Sequence, residues 1–324
     1  VNKLYLLLSL VGAIFAIDGQ AGAEEAKTYA ERLGFPAGAR VVIFHSDDLG
    51  MSHQTNQGTI KSLKEGIVTS TSTMMPTPWV PGWMAFLEAN PEVDNGLHLT
   101  LTSEWDHYRW GPVAGKPAVP TLVDKQGCLW DNVGLVNEHG TPDDVEKEIR
   151  AQIDKALEMG MPVTHMDSHM GTLFSNLEFY KRYVKVGIEY KIPMLITGPK
   201  GHLMTKYEGD LAKTLTAEGL HEKVWASGLP VLDDATGQSY GWKTFDEKKK
   251  MFTEIIKELK PGVTEIIVHC TIRDENFDAI SPSGETRQAD LDVSIDPEII
   301  QLIKDEGIIL TTWRELKERR DKVK

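Results

Sequence analysis

Cysteine is nearly absent. The 324 residues hold two, Cys128 and Cys270, too few for a disulfide-built scaffold and enough for one bridge at most. Whether those two meet is left open by the sequence. Positive charge is short too, with 35 Lys and Arg against 48 Asp and Glu and a formal net charge of -13. A field of that sign repels nucleic acid, heparin-like polymers and anionic membranes, which are excluded as main partners. No apolar run reaches the ~20 residues that a bilayer-spanning helix needs. Internal repeats, low-complexity tracts and an interdomain linker are missing as well, which argues against solenoids and modular chains. A glycine-rich anion cradle and an arginine cluster are also lacking, which counts against a phosphoryl substrate.

What is present begins with an address. Lys3, the apolar run from Leu4 to Ile17 and the small-residue site Ala21-Gly22-Ala23 are the three parts of a secretory signal. The expectation is a signal peptide over residues 1–23 and a single mature domain over 24–324, exported to the periplasm or secreted, with no stable membrane span after cleavage. The sequence leaves the oligomeric state open.

Downstream, short apolar runs alternate with amphipathic stretches. Strands are expected at Val41–His45, Val68–Met74, Gly96–Leu101, Val163–Ser168, Pro193–Thr197, Val231–Asp233, Glu265–Cys270 and Ile308–Thr312. Helix starts are marked at Thr141-Pro142-Asp143-Asp144, at Phe245-Asp246 and at Asp296-Pro297-Glu298, where a cap, a proline or acids fill the first turn. Strand then helix, about eight times over, implies parallel pairing and a (β/α) barrel or a doubly wound sheet. A TIM-like, distorted (β/α) barrel is the expected fold, with its site at the C-terminal ends of the strands. The Gly-, Pro- and Trp-rich stretch from Thr102 to Gly140 reads as a long loop over one face.

Ionisable residues gather at those strand ends. Asp47-Asp48 closes the first apolar run, an arrangement in which one acid can hold a metal while the other takes a proton. A helix cap is the plainer alternative for that pair alone. His98 sits inside Gly96-Leu97-His98-Leu99, where a lone buried histidine is more often a satisfied core residue than a ligand. The strongest signal is Thr164-His165-Met166-Asp167-Ser168-His169. Alternation along a strand puts His165, Asp167 and His169 on one face, where unpaired buried charge is costly unless a metal or a hydrogen-bonded pair absorbs it. His269 ends another apolar strand as a candidate general acid; Cys270, adjacent to it, points to the opposite face. One Asp and two His from separate strands, with open positions for water, fit metal-assisted hydrolysis or an iron oxygenase, and the second Asp tips the balance to hydrolysis.

In this order the motifs resemble those of the YdjC-like (ChbG) carbohydrate deacetylases. That family's pattern has a strand ending N-A-D-D-F-G, a G-x-H segment, a T-H-x-D-S-H segment and a late strand ending in histidine. Here they stand as His45-Ser46-Asp47-Asp48-Leu49-Gly50, Gly96-Leu97-His98, Thr164 to His169 and Ile267-Val268-His269, with Gly66 to Thr71 and Arg287 to Leu291 matching further segments. The resemblance implies a distorted barrel that hydrolyses an N-acetyl group from an amino sugar or oligosaccharide. It implies a divalent ion, zinc or magnesium, on Asp48, His98 and His169, with Asp47 as general base and His269 as general acid. Asp167 and His165 would stand behind the ligands, and Arg287 would orient Asp47. Trp105, Tyr108 and Trp110, just beyond His98, offer flat faces for a sugar or else pack the loop. The chain departs from the pattern at His45, where the family has Asn, so an added or altered ligand is open, and at Met170-Gly171 and Cys270-Thr271. The rivals are hydrolysis of another acyl or phosphoryl ester, a metal-free glycoside hydrolase with two carboxylates, and a non-catalytic exported sugar-binding barrel.

Overall fold

The structure, a computed structural model, describes residues 27–209, 213–214 and 216–323. The expected signal segment lies outside them. Strand β1 (Arg40–Leu49) opens with Val41-Val42-Ile43-Phe44, β-branched and aromatic side chains that suit a pleated strand buried on both faces. It is the hub of the sheet. Along one edge it pairs with β6 (Gly262–Val268); the other edge is shared by β2 (Ser70–Thr73) and, at its start, β7 (Ile309–Leu310). Beyond β2 lie β3 (Asn95–Leu99) and β4 (Met166–Ser168), and beyond β6 lies β5 (Asp234–Thr236). Every pairing is parallel, in the order β4-β3-β2-β1-β6-β5 with β7 on β1.

Between β4 and β5 the sheet continues by isolated parallel bridges, Met166 to Met194 and Thr197 to Leu232. Leu195 N–H donates to Met166 O at 2.9 Å and Gly198 N–H to Leu232 O at 2.8 Å. The result is a curled parallel sheet, a distorted half-barrel rather than a ring of eight equal units. Expected strand Pro193–Thr197 is reduced to isolated bridges, and the strand expected at Val231–Asp233 is displaced to β5. Pro193 has no N–H for a ladder. The Asp233 carboxylate instead accepts from the backbone N–H groups of Tyr29, Ala30 and Val263, pinning this stretch to the chain start. The stretch from Thr102 to Gly140 is less irregular than expected: it holds a 3-10 turn at Pro120–Leu122 and a helix at Val133–His139.

Helices cover the outer face, and their starts follow the sequence signals. Thr141 caps Pro142–Glu158 by accepting from Asp144 N–H, Thr244 and Glu247 form a reciprocal box on Phe245–Glu258, and Asp296 caps Pro297–Asp305. On β1 and β6 the outward set Val42, Phe44, Ile266 and Val268 packs with Phe252, Ile255 and Ile256 of the helix Phe245–Glu258. The inward set is different. His45, Asp47, Ser70, Ser72, His98, Asp167 and Glu265 all turn into the barrel, where they touch one another. Gly96 makes room for this interior, because a Cβ there would stand 2.5 Å from His165 Cε1. Cys128 and Cys270 are free, and no helix among the described residues is long and apolar enough to cross a membrane.

Candidate active site

Adjacent residues in a strand point to opposite faces, so Asp47 and Asp48 can share a site only if the strand is broken between them. It is. The β1–β2 register shifts between Ser46 and Leu49, and Asp48 takes a left-handed backbone with φ 69°. Both carboxylates thereby line one cavity of about 470 Å³ at the C-terminal end of the sheet.

Asp48 is the centre of a buried set. Its Oδ1 lies 3.3 Å from His98 Nε2 and 3.1 Å from His169 Nδ1, and the donor atoms of the three residues fall within 4.8 Å of one another. His98 is aimed by its other nitrogen, with Nδ1 2.6 Å from Asp167 Oδ1. His169 is delivered not by the strand itself but by the tight turn after it, where Met170 and Gly171 have φ 52° and 62°. Burial alone would raise the Asp48 carboxyl, yet the Arg287 guanidinium and the two imidazoles hold it well below its usual range. Burial would likewise push His169 down, but Glu104 and Asp48 lift it to about 9.

Arg287 therefore serves a different carboxylate from the one expected. Its Nη2 sits 2.7 Å from Asp48 Oδ2, so it braces the ligand-type acid and not Asp47. Asp47 is held from below, with Oδ1 2.8 Å from His45 Nε2 and 3.3 Å from Ser72 Oγ, while Oδ2 stands 3.6 Å from His98 Nε2. His45 is absent from the Asp48–His98–His169 set; its atoms group with His165 and Asp167 instead. His165 stays deep in the barrel, stacked on Trp313 at 5.1 Å and bonded through Nδ1 to Thr164 Oγ1. It does not reach the ligand-type residues.

His269 lines the same cavity from the end of β6. Its Nδ1 faces Ser239 Oγ at 3.2 Å and Asp290 Oδ2 at 3.6 Å, and its ring packs edge-on against Tyr240. Asp290 in turn pairs with the fully buried Lys248. Of the three loop aromatics, Trp105 alone lines the cavity. Tyr108 donates its hydroxyl to Met51 O and Trp110 its indole N–H to Thr102 O, so both pack the loop.

The matching family model is described as YdjC-like protein and spans residues 41–305. The chain belongs to the YdjC-like family. Proteins named carbohydrate deacetylase from Thermoanaerobacter pseudethanolicus and Brevibacillus brevis are each 27% identical to it, over 86% and 85% of this chain and 100% and 99% of theirs. A crystal structure of an Enterococcus faecalis protein superposes with a TM-score of 0.71 at 22% identity, covering 86% of this chain and 99% of that one, which shows the shared fold.

Within this YdjC-like domain, several site residues escaped the sequence reading. Glu104 brings both carboxylate oxygens to His169 Nε2, at 3.0 and 3.2 Å. It follows β3 by five residues, in a loop with no periodicity to mark it; its one signal is that it stands beside Trp105. Tyr240, Lys248 and Glu265 were likewise invisible, since each meets the site only through tertiary contact.

Proposed function

We propose that this chain is a metal-dependent hydrolase that removes N-acetyl groups from amino sugars or their oligosaccharides. The names of its relatives support the substrate class. The observation that carries the chemistry is the pairing of two differently braced acids, Asp48 against two imidazoles and Arg287, Asp47 against His45 and Ser72, in one cavity with His269.

A divalent ion fits Asp48, His98 and His169. One carboxylate oxygen already faces two imidazole nitrogens, and Asp167 fixes the His98 tautomer that leaves Nε2 as donor. Two imidazoles and a carboxylate suit zinc, while magnesium usually takes more oxygen ligands. When bound, the ion supplies Lewis acidity toward water and the amide carbonyl. Asp47, its Oδ1 occupied by His45, takes the proton of the attacking water on Oδ2. His269, with Nδ1 turned to Ser239 and Asp290, gives the Nε2 proton to the departing amine. Trp105 offers its ring to an apolar sugar face. Acetate and the free amino sugar leave.

Hydrolysis of a different acyl group by the same residues is the second reading. Met170, Phe174, Leu195, Met204, Ala235 and Ile267 make much of the remaining wall apolar, which suits an acyl chain. The discriminating experiment is release of acetate from N-acetylglucosamine oligomers by metal-stripped protein, with zinc, magnesium or chelator added. Metal-dependent acetate release supports the proposal; tight metal binding without acetate moves it to another acyl substrate; neither binding nor release removes the ligand assignment. The proposal extends to export of the mature chain from residue 24, which cell fractionation and N-terminal sequencing test directly.

A further inference from the structure

Among the described residues, His45 is the one fully buried ionisable group in contact with the proposed general base that the chemistry above leaves without a role. It shares the inward face of β1 with Asp47. Its Nε2 lies 2.8 Å from Asp47 Oδ1 and 3.1 Å from Asp167 Oδ2. Ser72 Oγ, also 3.0 Å from Nε2, donates its own proton to Asp167 Oδ2, so Nε2 faces acceptors and carries a proton. Its Nδ1 lies 3.1 Å from Ser70 Oγ and 3.7 Å from Glu265 Oε1. Glu265 has neither carboxylate oxygen hydrogen-bonded, so a proton on Nδ1 gives that carboxyl its nearest polar neighbour.

The charged and titratable groups facing the ring are Asp47 on its own strand, Asp167 across the barrel, Glu265 on β6, and His165 with its ring centroid 5.0 Å away. His165 is pushed well below the usual range by burial and by His45, so the positive charge of the pair belongs to His45. His45 itself, which burial would lower, is held well above the usual range by Glu265, Asp47 and Asp167.

We infer that His45 is a positioning residue, a buried imidazolium that clamps the base Asp47 and the carboxylate that aims His98, Asp167, into one unit. The inference rests on the proposed role of Asp47. It adds that Asp47 Oδ1 is committed to the clamp, which leaves Oδ2 as the catalytic oxygen. It also ties base and ligand together: Asp47 bonds His45, His45 bonds Asp167, and Asp167 bonds His98. A neutral amide in place of the imidazole keeps donors but loses the charge that draws both carboxylates inward.

The test uses the zinc-loaded full chain with 15N-labelled histidine. The wild-type spectrum should show one imidazole, absent in His45→Gln, with both ring nitrogens protonated from pH 6 to 9. A neutral tautomer at that position, or titration within the range, overturns the clamp whether or not any substrate is turned over. With N-acetylglucosamine oligomers, His45→Gln should lower kcat about 10–100-fold, a share of what a general base contributes, with KM within threefold and one zinc per chain as in wild type. Unchanged kcat in the variant overturns the positioning role. Two zinc ions per wild-type chain, falling to one in His45→Gln, overturn it as well by assigning His45, His165 and Asp167 to a second cation. If the wild type releases no acetate, the deacetylase proposal fails and the spectrum alone decides the state of His45. If His45→Gln does not fold, His45→Asn supplies the assignment, and the wild-type spectrum still decides.

Discussion

The two walls of the cavity are built from the same kind of strand yet carry opposite chemistry. On the wall made by β1 to β4, inward positions hold His45, Asp47, Ser72, His98 and Asp167, each bonded to at least one other. On the wall made by β5, β6 and the irregular 193–198 stretch, they hold Leu195, Ala235 and Ile267, joined by Phe174 and Met204. A buried charge survives only beside a partner, so the polar groups are concentrated where they satisfy one another. The apolar wall excludes water from the same space, which strengthens every electrostatic interaction across it. One wall carries the paired acids and the imidazoles that face them; the other is mostly apolar and ends in His269.

Asp48→Asn should break this division most severely. It removes the negative charge that faces both imidazoles and leaves buried Arg287 without its counter-charge, at a cost of ~3–5 kcal/mol. Calorimetry should find no zinc binding and a lowered melting temperature; retained zinc affinity would move the ligand role elsewhere. On the opposite wall, Phe174→Ala should cost a similar ~3–5 kcal/mol as a large-to-small core change. Zinc affinity should nonetheless stay within twofold, because the Phe174 ring packs on Tyr180 and Tyr183.

Glu265 is a fully buried acid on β6, and burial, against the pull of His45, pushes its carboxyl from 4.5 up to about 8. A group whose folded value is raised contributes its full stability below the unfolded value, and that stability is lost as pH rises through the folded value. Wild-type stability should therefore fall between pH 5 and pH 8, on the order of a few kcal/mol at ~1.4 kcal/mol per unit. Glu265→Gln, which cannot ionise, should flatten that slope in denaturant titrations at the two pH values; parallel slopes would deny the raised carboxyl. The smallest effect belongs to Tyr108→Phe, which loses one hydrogen bond to Met51 O, ~0.5–1.5 kcal/mol. Acetate release should stay near wild type there, whereas Trp105→Ala should raise KM. An equal KM effect from both would return Tyr108 to the cavity wall.

The polar wall was legible in the sequence because histidines and paired acids at the ends of apolar runs are conspicuous against their neighbours. Asp48, His98 and His169 could be named as ligands only through the family resemblance, since position alone also allows a helix cap and a core histidine. The partner of Arg287 could not: Asp47 and Asp48 are adjacent in sequence, and only the left-handed turn at Asp48 decides which carboxylate the guanidinium meets. Alternation grouped His165 with His169, but the chain leaves the strand after Ser168, so His169 follows the turn and His165 remains inside. The apolar wall left no trace in the motifs, since its residues are ordinary core side chains from short or irregular segments. Likewise Pro193 and the Asp233 carboxylate interrupt the strand pattern through contacts that periodicity does not encode.

The central claim is that two adjacent aspartates do different jobs, Asp48 holding the ion and Asp47 moving a proton. The most direct test is zinc affinity and acetate release measured side by side on Asp47→Asn and wild type. The account predicts one zinc per chain at near-wild-type affinity in the variant, with acetate release down by at least ~10²-fold. Loss of zinc together with turnover would make Asp47 a ligand, and turnover near wild type would remove it from the reaction.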